Sequence, residues 1–355
     1  MAKKKIAVIF GGMSNEHDIS LISASNVINN LDKSKYEVIP IGITRKGRWY
    51  FFPGDVEEIK QDTWEINTDN VPAAILPDPL YRGIATLTGN EINIIKVDCV
   101  FPVLHGKYGE DGTIQGLLDM AKIPYVGCGC FASAACMDKE FAHVICEYHG
   151  IRMARYRSIL QKDLGNLDSI CDRIVDELDF PLFVKPACSG SSVGVNKATR
   201  FEDLKNAIKF AFTHDKKVIV EEYIKGREIE CAVLGSENPF SSEPGEIVSC
   251  NDFYDYDAKY IMGTSRLAIP ADISPAAAKE LKDTAVKAFK VLGCFGLSRV
   301  DFFLADNDTV YLNEINTMPG FTSISMYPKL MENFGIGYSE LLDKLIDLAE
   351  ERITR

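Results

Sequence analysis

The sequence predicts an α/β domain followed by α+β units, three packed domains in all. Three observations carry this. Residues 4–10 form an apolar run that ends at Gly11-Gly12, and residues 19–31 then show helical periodicity, the strand, loop and helix entry of an α/β domain. After a helical stretch at 133–149 the pattern changes to short strands interleaved with helices. The chain has 355 residues, 46% of them hydrophobic, enough to bury more than one core.

Taken in order, residues 37–43 give a second strand, 97–104 a third ending at His105-Gly106, and 113–121 a helix that returns to Pro124-Tyr125-Val126. One parallel sheet wrapped by helices is therefore expected over residues 1–125, with 52–93 as an irregular region of loops and short strands. The central unit, 126–216, takes the 133–149 helix, a strand at 155–160, a helix at 169–178, strands at 182–185 and 192–197, and a helix at 201–214. The last unit, 217–355, takes strands at 217–223 and 228–234, a helix at 275–292, two strands bearing Arg299 and Glu314, and a closing helix at 338–353. No internal repeat or low-complexity segment interrupts this order.

A net charge of −12 disfavours nucleic acid and anionic membrane as partners, since both call for a basic face. No run of about 18 apolar residues is present, and the opening lysines lead directly into a strand rather than a signal peptide, so a cytoplasmic protein is expected. Most of the ten cysteines stand singly among apolar residues, as buried free thiols do. Cys128-Gly129-Cys130 has no second pair at zinc spacing and reads as a loop.

The chemistry concentrates in a few segments. Arg299-Val300-Asp301 and Glu314-Ile315-Asn316 are expected to end neighbouring strands, bringing an arginine, two carboxylates and an amide together. Hard oxygen donors of this kind suit magnesium bound jointly by protein and nucleotide phosphates. Gly190-Ser191-Ser192-Val193-Gly194 formally matches a nucleophile elbow, but the residues after it alternate like a strand instead of starting a helix. It reads better as a hairpin loop whose N–H groups and hydroxyls fold over phosphates, with Lys185 just before it as the cation. No P-loop is present, and Gly127-Cys128-Gly129 lacks the acidic partner of a dinucleotide site. Glu221-Glu222-Tyr223-Ile224 offers an extended edge and apolar faces for adenine, with Glu228 within reach of ribose hydroxyls.

Together these segments resemble the D-alanine–D-alanine ligase family of the ATP-grasp fold, over essentially the whole chain. Four stretches carry the match: Phe-Gly-Gly-Met-Ser-Asn-Glu-His-Asp-Ile-Ser at 10–20, Leu-His-Gly-Lys-Tyr-Gly-Glu-Asp-Gly at 104–112, Lys-Pro-Ala-Cys-Ser-Gly-Ser-Ser-Val-Gly at 185–194, and Asn-Glu-Ile-Asn-Thr-Met-Pro-Gly-Phe-Thr-Ser at 313–323. The resemblance implies an N-terminal substrate domain and two ATP-grasp subdomains, with a lid loop at 251–266. It implies that Glu16, assisted by Ser191 and Tyr260, holds the ammonium of the first D-alanine, with His105 near the substrate carboxylates. Lys139 and Lys185 would grip the α- and β-phosphates with Ser192, while Glu221, Glu222, Tyr223 and Ile224 frame the adenine and Glu228 the ribose. Asp301, Glu314 and Asn316 would hold two magnesium ions, manganese being able to substitute, and Lys259 would help neutralise the γ-phosphate. Arg299 and the N–H of Gly320 would receive the oxyanion when the second amine attacks the acyl phosphate. A homodimer through the first domain is also implied.

The second substrate is read from Ser325-Met326-Tyr327-Pro328. The related D-alanine–D-serine ligases of vancomycin resistance generally show arginine at the second place, whereas D-alanine ligases have leucine. An apolar Met326 suits the methyl group of D-alanine. Residues 39–44 and Phe321-Thr322-Ser323 resemble the D-serine branch, which keeps D-serine as the alternative. Lys259-Tyr260 differs from the His-containing lid of D-lactate ligases.

Overall fold

The computed structural model describes residues 2–190, 193–248 and 266–353. The expected lid at 251–266 therefore lies outside the described residues but for Arg266, as do Ser191, Ser192, Lys259 and Tyr260.

The first unit is a seven-stranded sheet. Its elements are β1 (Lys4–Gly11), α1 (His17–Asn30), β2 (Tyr36–Ile43), β3 (Trp49–Phe51), α2 (Val56–Lys60), β4 (Val71–Ile75), β5 (Gly83–Thr88), β6 (Glu91–Lys96), β7 (Cys99–Pro102) and α3 (Thr113–Ala121). Strand order is β6-β5-β4-β3-β2-β1-β7. Among the described strands of this sheet β1 pairs in parallel with β2 and β7, β7 adds an isolated parallel bridge from Val100 to Tyr125, and β2 through β6 run antiparallel. The expectation of one parallel sheet is thus corrected: β3 to β6, within residues 49–96, build its antiparallel part. The links from β2 to β3, β4 to β5 and β5 to β6 are too short for a crossover and so close hairpins. Gly89-Asn90 is such a two-residue turn, with Gly89 at φ +61°. Phe10, Phe52 and Trp64 meet edge to face beneath the sheet, with Phe10 and Trp64 centroids 5.1 Å apart. A Cβ at Gly42 would stand 2.3 Å from the Trp64 ring, so only glycine fits there.

The helix expected at 133–149 is two helices, α4 (Cys130–Met137) and α5 (Lys139–Tyr148). Asp138 separates them. Its ψ of 102° leaves the helical region, and its carboxylate accepts the N–H groups of Glu140 and Phe141 as an N-cap. The break makes Lys139 the first residue of a helix.

The central sheet contains β8 (Tyr156–Leu160), β9 (Leu182–Pro186), β10 (Asn196–Ala198) and β11 (Lys217–Glu222), all antiparallel in the order β10-β9-β11-β8. Two helices, α6 (Leu167–Glu177) and α7 (Phe201–Ala211), share its apolar core. Two corrections follow. The strand expected over 192–197 is only β10, entered through a turn at Gly194 with φ +79°. And β11, expected to open the third unit, pairs in the central sheet with β8 and β9.

The third unit holds β12 (Gly226–Gly235), β13 (Phe240–Ser241), β14 (Gly245–Val248), β15 (Arg266–Ala268), α8 (Pro275–Val291), β16 (Gly296–Ala305), β17 (Val310–Asn316), α9 (Met326–Asn333) and α10 (Tyr338–Ile353). Strand order is β15-β14-β12-β16-β17, with β13 on β12. Side chains alternate between its faces. Ile229, Cys231, Val233, Val300, Phe302, Leu312 and Ile315 pack with α8, sending Glu230, Arg299, Asp301, Glu314 and Asn316 to the other side. Arg299 and Asp301 stand in the middle of β16, not at a strand end as expected, and only Asn316 closes its strand.

The closing helix α10 returns to the first unit. Lys4 Nζ meets Glu350 at 3.0 Å, Tyr36 donates to Asp343 at 2.8 Å, and the Arg352 guanidinium lies over the rings of Tyr125 and Phe295. One apolar cluster runs continuously from Ile6, Val8 and Phe10 to Phe321, Tyr327 and Leu345. The first and third units therefore share a core, and the cleft between them has firm walls.

Candidate active site

A cavity of about 400 Å³ opens where the three units meet. Strand register builds its third-unit wall. Directly opposed residues in an antiparallel pair point to the same face. Arg299 opposes Asn316, Asp301 opposes Glu314, and Glu230 opposes Asp301 from the other side. The Arg299 guanidinium binds Asp301 through Nε and Nη2, both at 2.7 Å, and lies 3.0 Å from Glu230. Asn316 donates to Asp301 at 2.9 Å. These contacts hold the guanidinium by two carboxylates of its own sheet, which fixes its direction.

Loops make the opposite wall. Glu16 is buried at the start of α1, between two glycines: a Cβ at Gly106 would lie 2.3 Å from Glu16 Oε2, and one at Gly190 would lie 2.7 Å from it. Gly190 thus comes against Glu16, an approach that the missing side chain permits. Glu110 accepts from the N–H of Gly106 at 2.9 Å and of Met318 at 3.3 Å. Burial first, then the neighbouring Glu16, push its carboxyl up to about 8.

His105 stands in a closed chain of hydrogen bonds. Phe321 N–H donates to Ser23 Oγ at 3.2 Å, Ser23 lies 3.1 Å from His105 Nε2, and His105 Nδ1 lies 3.1 Å from the Met318 carbonyl. A carbonyl only accepts, so Nδ1 carries the proton and Nε2 accepts from the Ser23 hydroxyl. Burial lowers the ring to about 4, keeping it neutral. Both nitrogens are engaged by protein, so His105 acts as a strut between α1 and the 317–321 loop, lining the cavity without a ring nitrogen to offer a carboxylate.

Between the walls stand the lysines. Lys139 Nζ donates to the Ser189 carbonyl at 2.8 Å, tying α5 to the glycine loop. Lys185, on β9, meets Glu221 at 2.5 Å and Asn313 at 3.4 Å, bridging the central and third sheets. His143 Nε2 lies 3.0 Å from the other Glu221 oxygen. Burial works against ionising Glu221, but Lys185 and His143 outweigh it and hold the carboxyl down at about 2. Glu221 is thus the anchor of Lys185. Its neighbour Glu222 points to the opposite face, accepting from the Arg155 N–H and Nε at 2.8 and 2.7 Å. Neither carboxylate lines the cavity, and neither do Tyr223 and Ile224; Tyr223 is half exposed, with its ring beside Phe183 and under Lys197.

Glu228 lines a small adjoining cavity with Asp301 and Glu314. Ser325 turns back under Gly320, accepting from Thr322 N–H at 3.0 Å; a Cβ at Gly320 would come within 2.7 Å of its hydroxyl. Met326 is buried at the start of α9 and presents an apolar edge to the cavity beside Ile247.

Sequence reasoning assigned no role to Glu110, Glu230, His143 or Ser23. Glu230 was within reach, since it follows Glu228 by two on a strand and must share its face. His143 falls one helical turn after Lys139, a weaker cue. No local signal marks Ser23.

Among the described residues no three His, Cys, Asp or Glu side chains converge closely enough to hold a metal by themselves. The donor set on β16 and β17 still fits a hard cation that takes the rest of its shell from phosphate oxygens, because Asp301, Glu314 and Asn316 offer oxygens on one face. Nine cysteines among the described residues are free thiols, and no described helix is long and apolar enough to cross a membrane.

Comparison with known proteins places this arrangement. The family model "D-ala D-ala ligase N-terminus" matches residues 5–128, and "D-ala D-ala ligase C-terminus" matches 145–347. A D-alanine–D-alanine ligase of Caldicellulosiruptor bescii is 49% identical over 354 residues, 99% of this chain and 96% of that protein. Among solved structures, the VanG D-Ala:D-Ser ligase of Enterococcus faecalis superposes with a TM-score of 0.90 at 43% identity, covering 98% of this chain and 100% of that one. The D-alanine–D-alanine ligase of Coxiella burnetii follows with 0.86 at 37% identity, covering 99% and 96%. The chain therefore belongs to the D-alanine–D-alanine ligase family, ligases of the ATP-grasp fold that use ATP and a divalent metal to make the dipeptide of peptidoglycan precursors.

Proposed function

We propose that the two walls of the cavity divide the ligation of two D-alanines between them, the loop wall holding the amino acid and the strand wall handling phosphate and oxyanion. The observation that carries this reading is the same-face register of Arg299, Asp301, Glu314 and Asn316 across a cavity from the buried Glu16. Glu16, with Ser191 and Tyr260, receives the ammonium of the first D-alanine. That leaves its carboxylate directed toward the γ-phosphate of ATP, and attack there gives D-alanyl phosphate and ADP. Lys139 and Lys185 counter the α- and β-phosphates, with Ser192 and Lys259 assisting. Glu222, Tyr223, Ile224 and Glu228 frame adenine and ribose, while Glu221 serves by fixing Lys185. Two magnesium ions held by Asp301, Glu314 and Asn316, or manganese in their place, supply charge neutralisation on the phosphate oxygens when bound.

The second D-alanine then attacks the acyl carbonyl through its amine, displacing phosphate. Arg299 and the N–H of Gly320 meet the oxyanion of that step. His105 keeps the Gly320 loop in place, Ser325 supports it from beneath, and Met326 faces the methyl group of the second substrate. The reading includes a homodimer, as the family resemblance implies, and a cytoplasmic location; the charge of −12 argues against nucleic acid or anionic membrane as a partner.

The D-serine reading is supported by residues 39–44 and Phe321-Thr322-Ser323, which resemble that branch, and by the likeness to the VanG D-Ala:D-Ser ligase. A hydrophobic pocket rejects a substrate that merely gains a hydroxyl by only about 10²-fold. Competition between D-alanine and excess D-serine, with ATP-dependent phosphate release and products identified by mass, separates the readings. D-alanyl-D-alanine is the expected main product. Mainly D-alanyl-D-serine would make this a resistance-type ligase and remove Met326 from the specificity argument.

A further inference from the structure

Glu110 lines the cavity, yet the ligation scheme gives it no task. Its carboxyl spans the two walls, accepting from Gly106 N–H on one side and Met318 N–H on the other. Gly106 abuts Glu16 so closely that a Cβ there would overlap the Glu16 carboxylate. Met318 lies two residues before Gly320. Any shift of Glu110 therefore moves the group that holds the ammonium relative to the group that receives the oxyanion, and these act at opposite ends of one small substrate.

The charged and titratable groups facing Glu110 are Glu16 from the loop before α1, Arg299 from β16 and Cys136 from α4, with His105 in its own loop. The two N–H donors and Arg299 favour the anion. Enclosure of the carboxyl and the charge of Glu16 oppose it and win. Two acids in one enclosed site hold a shared proton more cheaply than two negative charges.

We propose that Glu110 is a positioning residue for the first D-alanine: it links the cavity walls through Gly106 and Met318 and, by carrying the proton of the Glu16–Glu110 pair, leaves Glu16 as the negative charge that meets the substrate ammonium. This rests on the reading of Glu16 as the ammonium site. It makes Glu110 a neutral acid at physiological pH, kept so by its neighbours.

The test uses Glu110→Gln, Glu110→Ala and Glu16→Gln in the full-length enzyme. In the substrate-free protein the Tm of wild type and Glu110→Gln is followed from pH 5 to 9. A carboxyl with a raised folded-state pKa takes up protons on folding between 4.5 and about 8, so wild-type stability falls as pH rises across that window and is level above it. Glu110→Gln lacks this dependence. The Tm difference, variant minus wild type, should therefore grow up to about pH 8 and then flatten. A difference independent of pH would overturn the shared proton.

In steady-state assays, Glu110→Ala should raise KM for the first D-alanine roughly tenfold or more, because two buried N–H groups lose their acceptor. Glu110→Gln should recover only part of that loss, because the N–H groups of Gly106 and Met318 bond to different oxygens of Glu110 and glutamine keeps one of them. A KM for the first D-alanine left unchanged in Glu110→Ala would show that the link between the walls is not needed, which sinks the proposal. Glu16→Gln distinguishes the underlying reading. If KM for the first D-alanine stays unchanged there, Glu16 is not the ammonium site, whatever the Glu110 variants do; if it rises while the Glu110 results fail, only the Glu110 assignment falls.

Discussion

The two walls of the cavity are built on different principles. The third-unit wall is made by strands, where Arg299, Asp301, Glu314 and Asn316 owe their proximity to alternation and register in β16 and β17. The first-unit wall is made by loops, where Glu16, His105 and Glu110 owe theirs to glycines that permit close approach and to hydrogen bonds reaching some 200 to 300 residues along the chain, from His105 to Met318 and from Ser23 to Phe321. A strand wall holds charges rigidly and cheaply, because the ladder that sets their spacing exists for the fold itself. A loop wall has to be held by dedicated contacts, and it fails when one of them is lost.

Variants can break this comparison. The largest expected effect is at Arg299 on the strand wall. Arg299→Ala should lower ligation roughly 10² to 10³-fold, the usual cost of an oxyanion donor. Retention of most of the ligase rate would remove Arg299 from the oxyanion site.

Next comes Gly106 on the loop wall. Alanine there meets a φ of +70°, which costs about 1–2 kcal/mol, and a Cβ overlapping Glu16. The expected outcome is a rise of roughly tenfold in KM for the first D-alanine, the rate equivalent of about 1.4 kcal/mol, with KM for ATP little changed. Equal changes in both constants would mean that the loop supports the whole cleft and not Glu16 in particular.

The smallest effect is expected at Ser23. Ser23→Ala leaves the Phe321 N–H and His105 Nε2 without their partner, for about 1–3 kcal/mol of stability, read from chemical denaturation. Activity should fall less than in the Gly106 variant because the Met318 contact of His105 survives. Unchanged stability would mean that water replaces the hydroxyl and that the strut is not needed.

Much of this was open to inspection in the sequence. The α8 helix begins at Pro275, where the sequence places its start, with Ser274 as the N-cap. The α3 and α10 spans fall where helical periodicity puts them. Where sequence reasoning failed, a local device was overlooked or a partner was distant. Asp138 as a cap splits one expected helix, and Gly89-Asn90 closes a hairpin in a segment read as irregular. The ownership of β11 by the central sheet depends on β8 and β9, which lie earlier in the chain and leave no mark within residues 217–222.

The sequence by itself determined the strand wall, since period-two alternation obliges Arg299 and Asp301, and likewise Glu314 and Asn316, to share a face wherever those strands form. It also determined the family, through four motifs in order. Tertiary contacts were needed to see that Glu221 pairs with Lys185, that both ring nitrogens of His105 are engaged by protein, and that Glu110 sits between Gly106 and Met318 beside Glu16. The physical reason is range. Alternation, capping and turn preferences act within a few bonds, whereas a buried carboxyl takes its charge state and its role from whatever the fold brings against it.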